Sequence, residues 1–301
     1  MNTMNVTVLY GGPSAEREVS LVSGKAVAQG LRDAGHAVHE VDVRPETLEA
    51  ALAKTADVVF PVLHGTWGED GQLQAVLEAR GVRFVGSGSA ASRLGMDKAA
   101  TKMAWEKADL PTPAYELVTR ANPVTAVRAP CAVKAVDSGS SVDVYICQNQ
   151  ADADKALQTL LDKHGRALVE QFIKGPELTV GLLEEKALAP IRIVAKVEFF
   201  DYEAKYKRND TEHRFDTGLP APLIDRCKRL VEKANSVVGA RDLARVDVMI
   251  DEKSQEPYLL EINTLPGFTS KSLLPEAAGH AGIPFPQLVD RLVKRAAARA
   301  A

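Results

Sequence analysis

Cysteine is scarce in this sequence, and apolar runs of membrane length are absent. The three cysteines, Cys131, Cys147 and Cys227, are far apart and odd in number. They form neither a zinc spacing nor a disulfide framework and read as small buried hydrophobes in a reducing cytosol. No apolar stretch approaches the roughly 20 residues that a membrane span needs. No basic segment followed by a long apolar one opens the chain, so a secretory signal is not expected. Lysine and arginine total 37 against 40 acidic residues, a net charge of −3. That balance offers no basic surface to nucleic acid or to an anionic membrane. There is no G-x-G-x-x-G fingerprint, no internal repeat and no low-complexity linker. What remains is a soluble cytoplasmic protein of 301 residues, long enough for two or three domains at roughly 100–200 residues each.

The first 95 residues alternate strand and helix. Val6–Leu9 is an apolar, β-branched strand, and Gly11-Gly-Pro-Ser14 turns the chain into a helix with Val19, Val22, Ala26 and Val27 as its apolar stripe. Strands at Ala37–Val43 and Asp57–Leu63 follow, with a short helix between them. A helix carrying Leu73, Val76 and Leu77 stops at Gly81, and Val82–Val85 reads as a fourth strand. This rhythm implies a parallel sheet covered by helices, an α/β unit. From 96 to 183 the pattern becomes α+β. It has a helix near 97–108, a Pro111-Thr-Pro113 junction and strands at Cys131–Val136 and Val142–Cys147. A helix with Ala153, Ala156, Leu157, Leu160 and Leu161 follows, then strands at Ala167–Phe172 and Leu178–Leu183. The last unit, 184–301, holds a strand near Ala189–Val197 and a charge-rich stretch, Asp201–Asp216, without periodicity. A helix at Ile224–Val238, two strands and a C-terminal helix complete it, with a frayed Ala/Arg tail after Lys294. A structureless stretch that long inside a compact domain is functional or disordered.

The most informative segment is Leu243–Asn263, two apolar-alternating strands joined by Asp251–Glu256. A hairpin symmetric about Ser254 sets Asp247 opposite Glu261, Arg245 opposite Asn263 and Met249 opposite Leu259. The period of two then puts all six on one face, with Val246, Val248, Leu260 and Ile262 on the other. Opposed carboxylates repel. A Mg²⁺ ion between them, completed by an amide oxygen and substrate phosphates, explains the pair. A solvated acidic sheet face is the alternative.

Lys134 lies inside the apolar strand Cys131–Val136 and needs an anionic partner or a route to solvent. A nucleotide phosphate would serve, covered by Ser138-Gly-Ser-Ser141; an edge-strand lysine beside an ordinary turn is the alternative. Lys98 opens a helix, where a bound anion would offset its unfavourable position. The Gly11-Gly12 turn alone indicates only tight packing.

Taken together, these segments resemble the D-alanine–D-alanine ligases of the ATP-grasp superfamily. The resemblance runs through Gly11–Ser20, Leu63-His-Gly65, Gly68-Glu-Asp-Gly71, Gly95-Met-Asp-Lys98, Gly139-Ser-Ser141 and Gly175–Thr179. It continues through Asp201–Tyr206, Arg245-Val-Asp247, Leu260–Thr264, Pro266-Gly267 and Ser272-Leu273. It implies three domains (1–95, 96–183, 184–301), the first built on a parallel sheet, with ATP between the other two and a mobile loop at 201–216. It implies that Lys98, Lys134 and Ser141 meet the nucleotide phosphates. Glu170, Gln171, Phe172 and Ile173 line the adenine, Phe199 and Met249 pack on it, and Glu177 binds the ribose. Asp247, Glu261 and Asn263 hold two Mg²⁺ ions, with Mn²⁺ as a substitute, and Lys205 reaches the transferred phosphate. Of two D-alanine molecules, the first meets Glu16, with His64 nearby. Arg245 and the Gly267 N–H take its carboxylate and later the oxyanion. Ser272 and Leu273 receive the second. Ser140 and Tyr206 link to Glu16 and close the site. A homodimer is implied as well.

The implied activity is ATP-dependent ligation of two D-alanine molecules through an acyl phosphate, for peptidoglycan precursors. The alternatives are a D-alanine–D-lactate ligase or another ATP-grasp carboxylate–amine ligase; in the family, dipeptide-forming members carry tyrosine at the position of Tyr206. The sequence departs from the family pattern in three places. Ala135-Val136-Asp137 replaces Pro-Ser-Arg, Asp143 replaces glycine, and Lys271 stands where histidine is common. The first two place negative charge near the turn expected to cover the phosphates.

Overall fold

The computed structural model describes residues 3–53, 56–139, 143–195, 211–269 and 271–299. Strands β1 (Asn5–Gly11), β2 (Ala37–Val43) and β3 (Val58–Pro61) form a parallel sheet in the order β2-β1-β3. Helices α1 (Arg17–Asp33), α2 (Leu48–Leu52) and α3 (Gln72–Ala79) connect and follow these strands. The expected strand at Val82–Val85 is reduced to a single parallel bridge between Phe84 and Val59. The chain leaves the sheet at Gly86, whose N–H donates to the Asp242 carboxylate at 2.8 Å.

The expected apolar stripe of α1 is half wrong. Val27 is buried, but Val19 and Val22 are 48% and 58% exposed. The buried face carries Ser20, Ser23, Gly24, Val27, Ala28 and Leu31. Close approach selects these small residues, since a Cβ at Gly24 would lie 2.4 Å from the Tyr10 ring. Polar atoms on this face are satisfied: Ser20 Oγ accepts from the Gly11 N–H at 2.8 Å and donates to the Val62 carbonyl. A hydrophobicity period cannot register a face built from serine and glycine.

Helices α4 (Ser89–Met96) and α5 (Lys98–Lys107) lead out of this unit. The first was not expected, because its small residues carry little apolar signal. Asp97 caps α5 by accepting from the Ala100 N–H at 2.9 Å. Strands β4 (Tyr115–Thr119), β5 (Cys131–Lys134), β6 (Val144–Cys147) and β7 (Arg166–Gln171) form an antiparallel sheet ordered β4-β7-β5-β6. Its edge strand β4 was also not expected. Helix α6 (Gln150–His164) buries all five residues of its stripe in the core with β5 and β7.

The third sheet joins β8 (Glu177–Leu183), β10 (Ile191–Ala195), β11 (Thr211–Arg214), β12 (Leu243–Ile250) and β13 (Pro257–Asn263) in the order β11-β10-β8-β12-β13, with β9 (Lys186–Ala187) beside β8. Residues 201–210 of the charge-rich stretch lie outside the described residues. Thr211–Arg214 corrects the reading of that stretch as loop, because it pairs antiparallel with β10. Its side chains are largely exposed, so backbone pairing rather than burial holds it and no apolar pattern announces it. Helix α7 (Ala221–Val238) packs Leu223, Cys227, Val231 and Ala234 against β8 and β12, and ends at Gly239 in the left-handed conformation.

Helices α8 (Leu273–His280) and α9 (Phe285–Ala297) close the chain. The buried Leu288, Val289, Leu292 and Val293 of α9 share one core with Val6, Val8, Val27, Leu31 and Phe60 of the parallel-sheet unit. As far as Arg299, the C-terminal tail is not frayed. Ala296 is fully buried, and Arg295 and Arg299 reach the buried Asp242 carboxylate at 3.1 and 2.5 Å.

Candidate functional site

Hairpin β12–β13 sets the site's axis. Arg245 pairs with Asn263 and Asp247 with Glu261, as the symmetric register predicts. The register then shifts by one residue, so Met249 faces Tyr258 and Val248 faces Leu259. This bulge corrects the expected opposition of Met249 and Leu259. Leu259 turns into the core with Val246, Val248 and Ile262, while Leu260 is only half-buried. A leucine pair read by strict alternation cannot reveal which member the bulge sends inward.

The polar face is densely bonded. Arg245 donates from Nε and Nη2 to the two oxygens of Asp247 at 3.0 and 2.9 Å. Thr179 of β8 donates to Asp247 Oδ1 at 2.5 Å. Burial opposes charge on Arg245, but Asp247, with Glu261 and Glu69 beyond it, outweighs burial and holds the guanidinium above its ordinary pKa. Lys98 Nζ lies 3.5 Å from Glu261 and donates to the Ser138 carbonyl at 2.7 Å. A cleft forms here, lined by Glu69, Gly95, Lys98, Ser138, Gly139, Arg245, Glu261 and Asn263. Two carboxylates and an amide oxygen on one half-buried face are the hard oxygen donors that Mg²⁺ takes, leaving positions for water and phosphate. Their chemistry fits that ion.

Glu16 stands at the start of α1. A Cβ on Gly65 would meet its Oε2 at 2.7 Å, and one on Gly139 at 3.1 Å, so the carboxylate sits between the His64-Gly65 turn and the start of the serine turn. His64 is buried. Its Nδ1 pairs with Glu69 at 3.1 Å, and its buried Nε2 makes no hydrogen bond among the described residues. Across the hairpin, Gly267 faces Ser272, whose Oγ accepts from the Thr269 N–H at 2.9 Å. Ser272 stands at the N-cap position of α8, its side chain turned back to Thr269, and Leu273 is the first helical residue.

A second group lies beside the antiparallel sheet. Glu170 is almost fully buried and ion-paired with Lys134, and Lys102 Nζ lies 2.9 Å from its other oxygen. Burial pushes the Glu170 carboxyl up, but the two ammoniums outweigh it and hold it at about 2. Gln171, Phe172 and the buried Ile173 continue from Glu170. Glu177 pairs with Met249 across β8 and β12, which brings the expected ribose and adenine contacts together. Ser140, Ser141, Phe199, Lys205 and Tyr206 lie outside the described residues.

Two residues of the site were not singled out from sequence. Lys102 sits four residues after Lys98, on the same face of α5, a spacing that could have drawn attention to it. Glu69 lies inside the Gly68–Gly71 segment, but only its approach to His64 and Arg245 gives it a role. The negative charges that depart from the family pattern are compensated. Arg166 binds Asp97 at 2.9 Å and Asp137 at 3.1 Å, and Asp143 takes Lys163 and His164, each at 2.7 Å. Asp143 has φ of 59°, a conformation glycine adopts freely and aspartate tolerates.

Similarity to known proteins agrees with this arrangement. The family model described as "D-ala D-ala ligase N-terminus" matches residues 36–87, and that described as "D-ala D-ala ligase C-terminus" matches residues 104–294. The D-alanine--D-alanine ligase of Geotalea uraniireducens (strain Rf4) is 41% identical over 99% of this chain and 97% of its own. That of Ectopseudomonas mendocina (strain ymp) is 42% identical over 94% and 92%. The crystal structure of the Bacillus anthracis D-alanine--D-alanine ligase complexed with ATP superposes with a TM-score of 0.86. It is 30% identical and covers 98% of this chain and 97% of that one. Two family models in chain order, relatives alike from end to end and a shared three-dimensional arrangement lead to one conclusion: this chain belongs to the D-alanine–D-alanine ligase family.

Proposed function

We propose that this chain uses ATP to join two D-alanine molecules into D-alanyl-D-alanine, a peptidoglycan precursor. The observation that carries this reading is the β12–β13 face, where Arg245, Glu261 and Asn263 line one cleft with Lys98, and Asp247 stands opposite Glu261 and bonded to Arg245. A carboxylate and an ammonium do not condense in water; one must be activated. In the first step a D-alanine carboxylate oxygen attacks the γ-phosphorus of ATP, and ADP leaves. Bound Mg²⁺, held by Asp247, Glu261 and Asn263, would neutralise charge on the phosphoryl oxygens. Lys98, Lys134 and Lys205 add positive charge, with Ser141 over the phosphates. Glu16 takes the ammonium of the first D-alanine, with His64 beside it. In the second step the deprotonated amine of the second D-alanine, seated at Ser272 and Leu273, attacks the acyl carbon, and inorganic phosphate leaves. Arg245 and the Gly267 N–H stabilise the oxyanion, an effect of about 10²–10³ in rate per donor. Ser140 and Tyr206, linked to Glu16, close the site. Adenine lies along Glu170–Ile173 between Phe199 and Met249, with the ribose at Glu177.

Three parts, 1–95, 96–183 and 184–301, belong to this reading. So does a homodimer, for which the exposed Val19 and Val22 offer an apolar surface. Among the described residues no helix is long and apolar enough to cross a membrane. A cytoplasmic location accords with ATP use and with three free buried cysteines. Phosphate release measured with D-alanine, with L-alanine and with no amino acid tests the function. Release with D-alanine alone, yielding the dipeptide by mass, is the expected result. Release without amino acid, or ester from a mixture of D-alanine and D-lactate, would overturn it.

A further inference from the structure

Lys98 is fastened at both ends to one short stretch of chain. Its backbone N–H donates to the Val136 carbonyl at 3.0 Å, and its Nζ donates to the Ser138 carbonyl at 2.7 Å. An aspartate adjoins each side of this double contact. Asp97 precedes Lys98, and Asp137 lies between Val136 and Ser138. Both carboxylates meet the same guanidinium. Arg166, the first residue of β7, donates from Nη1 to Asp97 at 2.9 Å and from Nη2 to Asp137 at 3.1 Å. The other oxygen of Asp97 caps α5 by accepting from the Ala100 N–H at 2.9 Å. Three links thus join the start of α5 to the stretch after β5. Lys98 supplies two of them and Arg166 the third.

Stability does not account for the third link. The side chains of Arg166 and Asp137 are 37% and 50% exposed, and ion pairs so open to water contribute little. Attraction of phosphates does not account for it either, because the negative charge of Asp137 opposes them. What the bridge fixes is geometry. A guanidinium holds two carboxylates on separate prongs, which the point charge of a lysine cannot do. Without it Asp97 and Asp137 repel one another and part the helix start from the stretch after β5. The flexible stem of Lys98 then loses its support, while its Nζ, 3.5 Å from Glu261, has to stay at the cleft. We propose that Arg166, bridging Asp97 and Asp137, is a positioning residue that holds Val136–Ser138 against α5 and so keeps Lys98 Nζ in place for the nucleotide phosphates. This inference rests on the nucleotide site proposed above and adds to it the residues that aim its lysine.

The test measures adenosine and ATP binding by calorimetry to the full chain, to Asp137→Ala and to Arg166→Gln. Charge alone predicts opposite effects, since losing an acid near phosphates strengthens ATP binding and losing a base weakens it. Positioning predicts the same effect from both. Each variant weakens ATP by about fivefold, the upper range for a partly exposed ion pair. Adenosine, which brings no phosphate to Lys98, stays within about twofold of the starting protein. The double variant loses no more than either single one, because each breaks the same bridge. In a Lys98→Met background neither substitution lowers ATP affinity further. Tighter ATP binding by Asp137→Ala overturns the proposal, as does an equal loss of adenosine or a loss that persists without Lys98. Arg166→Lys keeps the charge without the fork and stays impaired; full ATP affinity in that variant also counts against the proposal. The half-exposed Asp137→Ala carries the comparison if Arg166→Gln folds poorly. Failure of the unaltered chain to bind ATP would instead strike the proposed nucleotide site itself.

Discussion

Arg245 grips both carboxylate oxygens of Asp247, two positions along the same strand, at 3.0 and 2.9 Å. The pair joins the residue proposed to stabilise the oxyanion to one proposed to hold the metal. Lysine cannot reproduce a two-pronged contact. Arg245→Lys should therefore lower kcat/KM for D-alanine by about 10²-fold or more. The KM for ATP should change little, and steady-state kinetics with each substrate varied separates the two. An unchanged kcat/KM would remove Arg245 from the reaction.

Glu261 is the more exposed of the opposed carboxylates, and Lys98 stands 3.5 Å from it. Glu261→Gln keeps its shape and removes its charge. It should abolish Mg²⁺-dependent ligation while the melting temperature shifts by no more than a few degrees, as for other partly exposed polar sites. Calorimetric Mg²⁺ titration in the presence of ATP reads the same loss directly. Full activity of the unaltered chain in excess chelator would refute the metal assignment.

The Glu170 carboxyl is held at about 2 in the folded chain against an ordinary value of 4.5. A depressed folded-state pKa contributes stability above the ordinary value, and that contribution is lost as pH falls toward the folded one. Glu170→Gln should thus flatten the decline in stability between about pH 4.5 and 2, followed by denaturant melts at each pH. Parallel curves for the two proteins would mean that the carboxylate is not paired as described.

Burial pushes the thiol of Cys147 up to about 12 and that of Cys227 up to about 11, and Cys131 is raised as well. Thiolate, the reactive form, is therefore scarce at each. A thiol reagent at pH 8 should label none of the three in the folded chain and all of them in denaturant. Rapid labelling of the native protein would show that one is reachable.

The hairpin was legible in the sequence because alternation of charged and apolar residues reports a strand with one wet face. Arg245, Asp247, Glu261 and Asn263 fell into register on that ground alone. Legibility ended at the bulge beside Val248, since Leu259 and Leu260 are chemically identical and only packing chooses between them. The same limit applies to α1, where the buried face is serine and glycine and two valines point outward. The ion pairs of Arg166 and Asp143 were likewise invisible, because their partners are distant in sequence. Lys98 and Lys134 stood out as lysines in unfavourable places. Lys102 did not, as a lysine within a helix is unremarkable until its burial is known.

The union of α9 with α1 and the parallel sheet in one core bears on how the chain is made. Domains generally fold as they leave the ribosome, the N-terminal one first. Here the first unit cannot complete its core until Phe285–Ala297 has emerged, because Leu288, Val289, Leu292 and Val293 fill it. The nascent chain must carry an exposed apolar patch on β1, β3 and α1 until that helix is made. A ribosome stalled short of the last helix would display that patch to chaperones, and a truncation there would leave it uncovered permanently. Quality control can therefore read from that patch whether Phe285–Ala297 has docked.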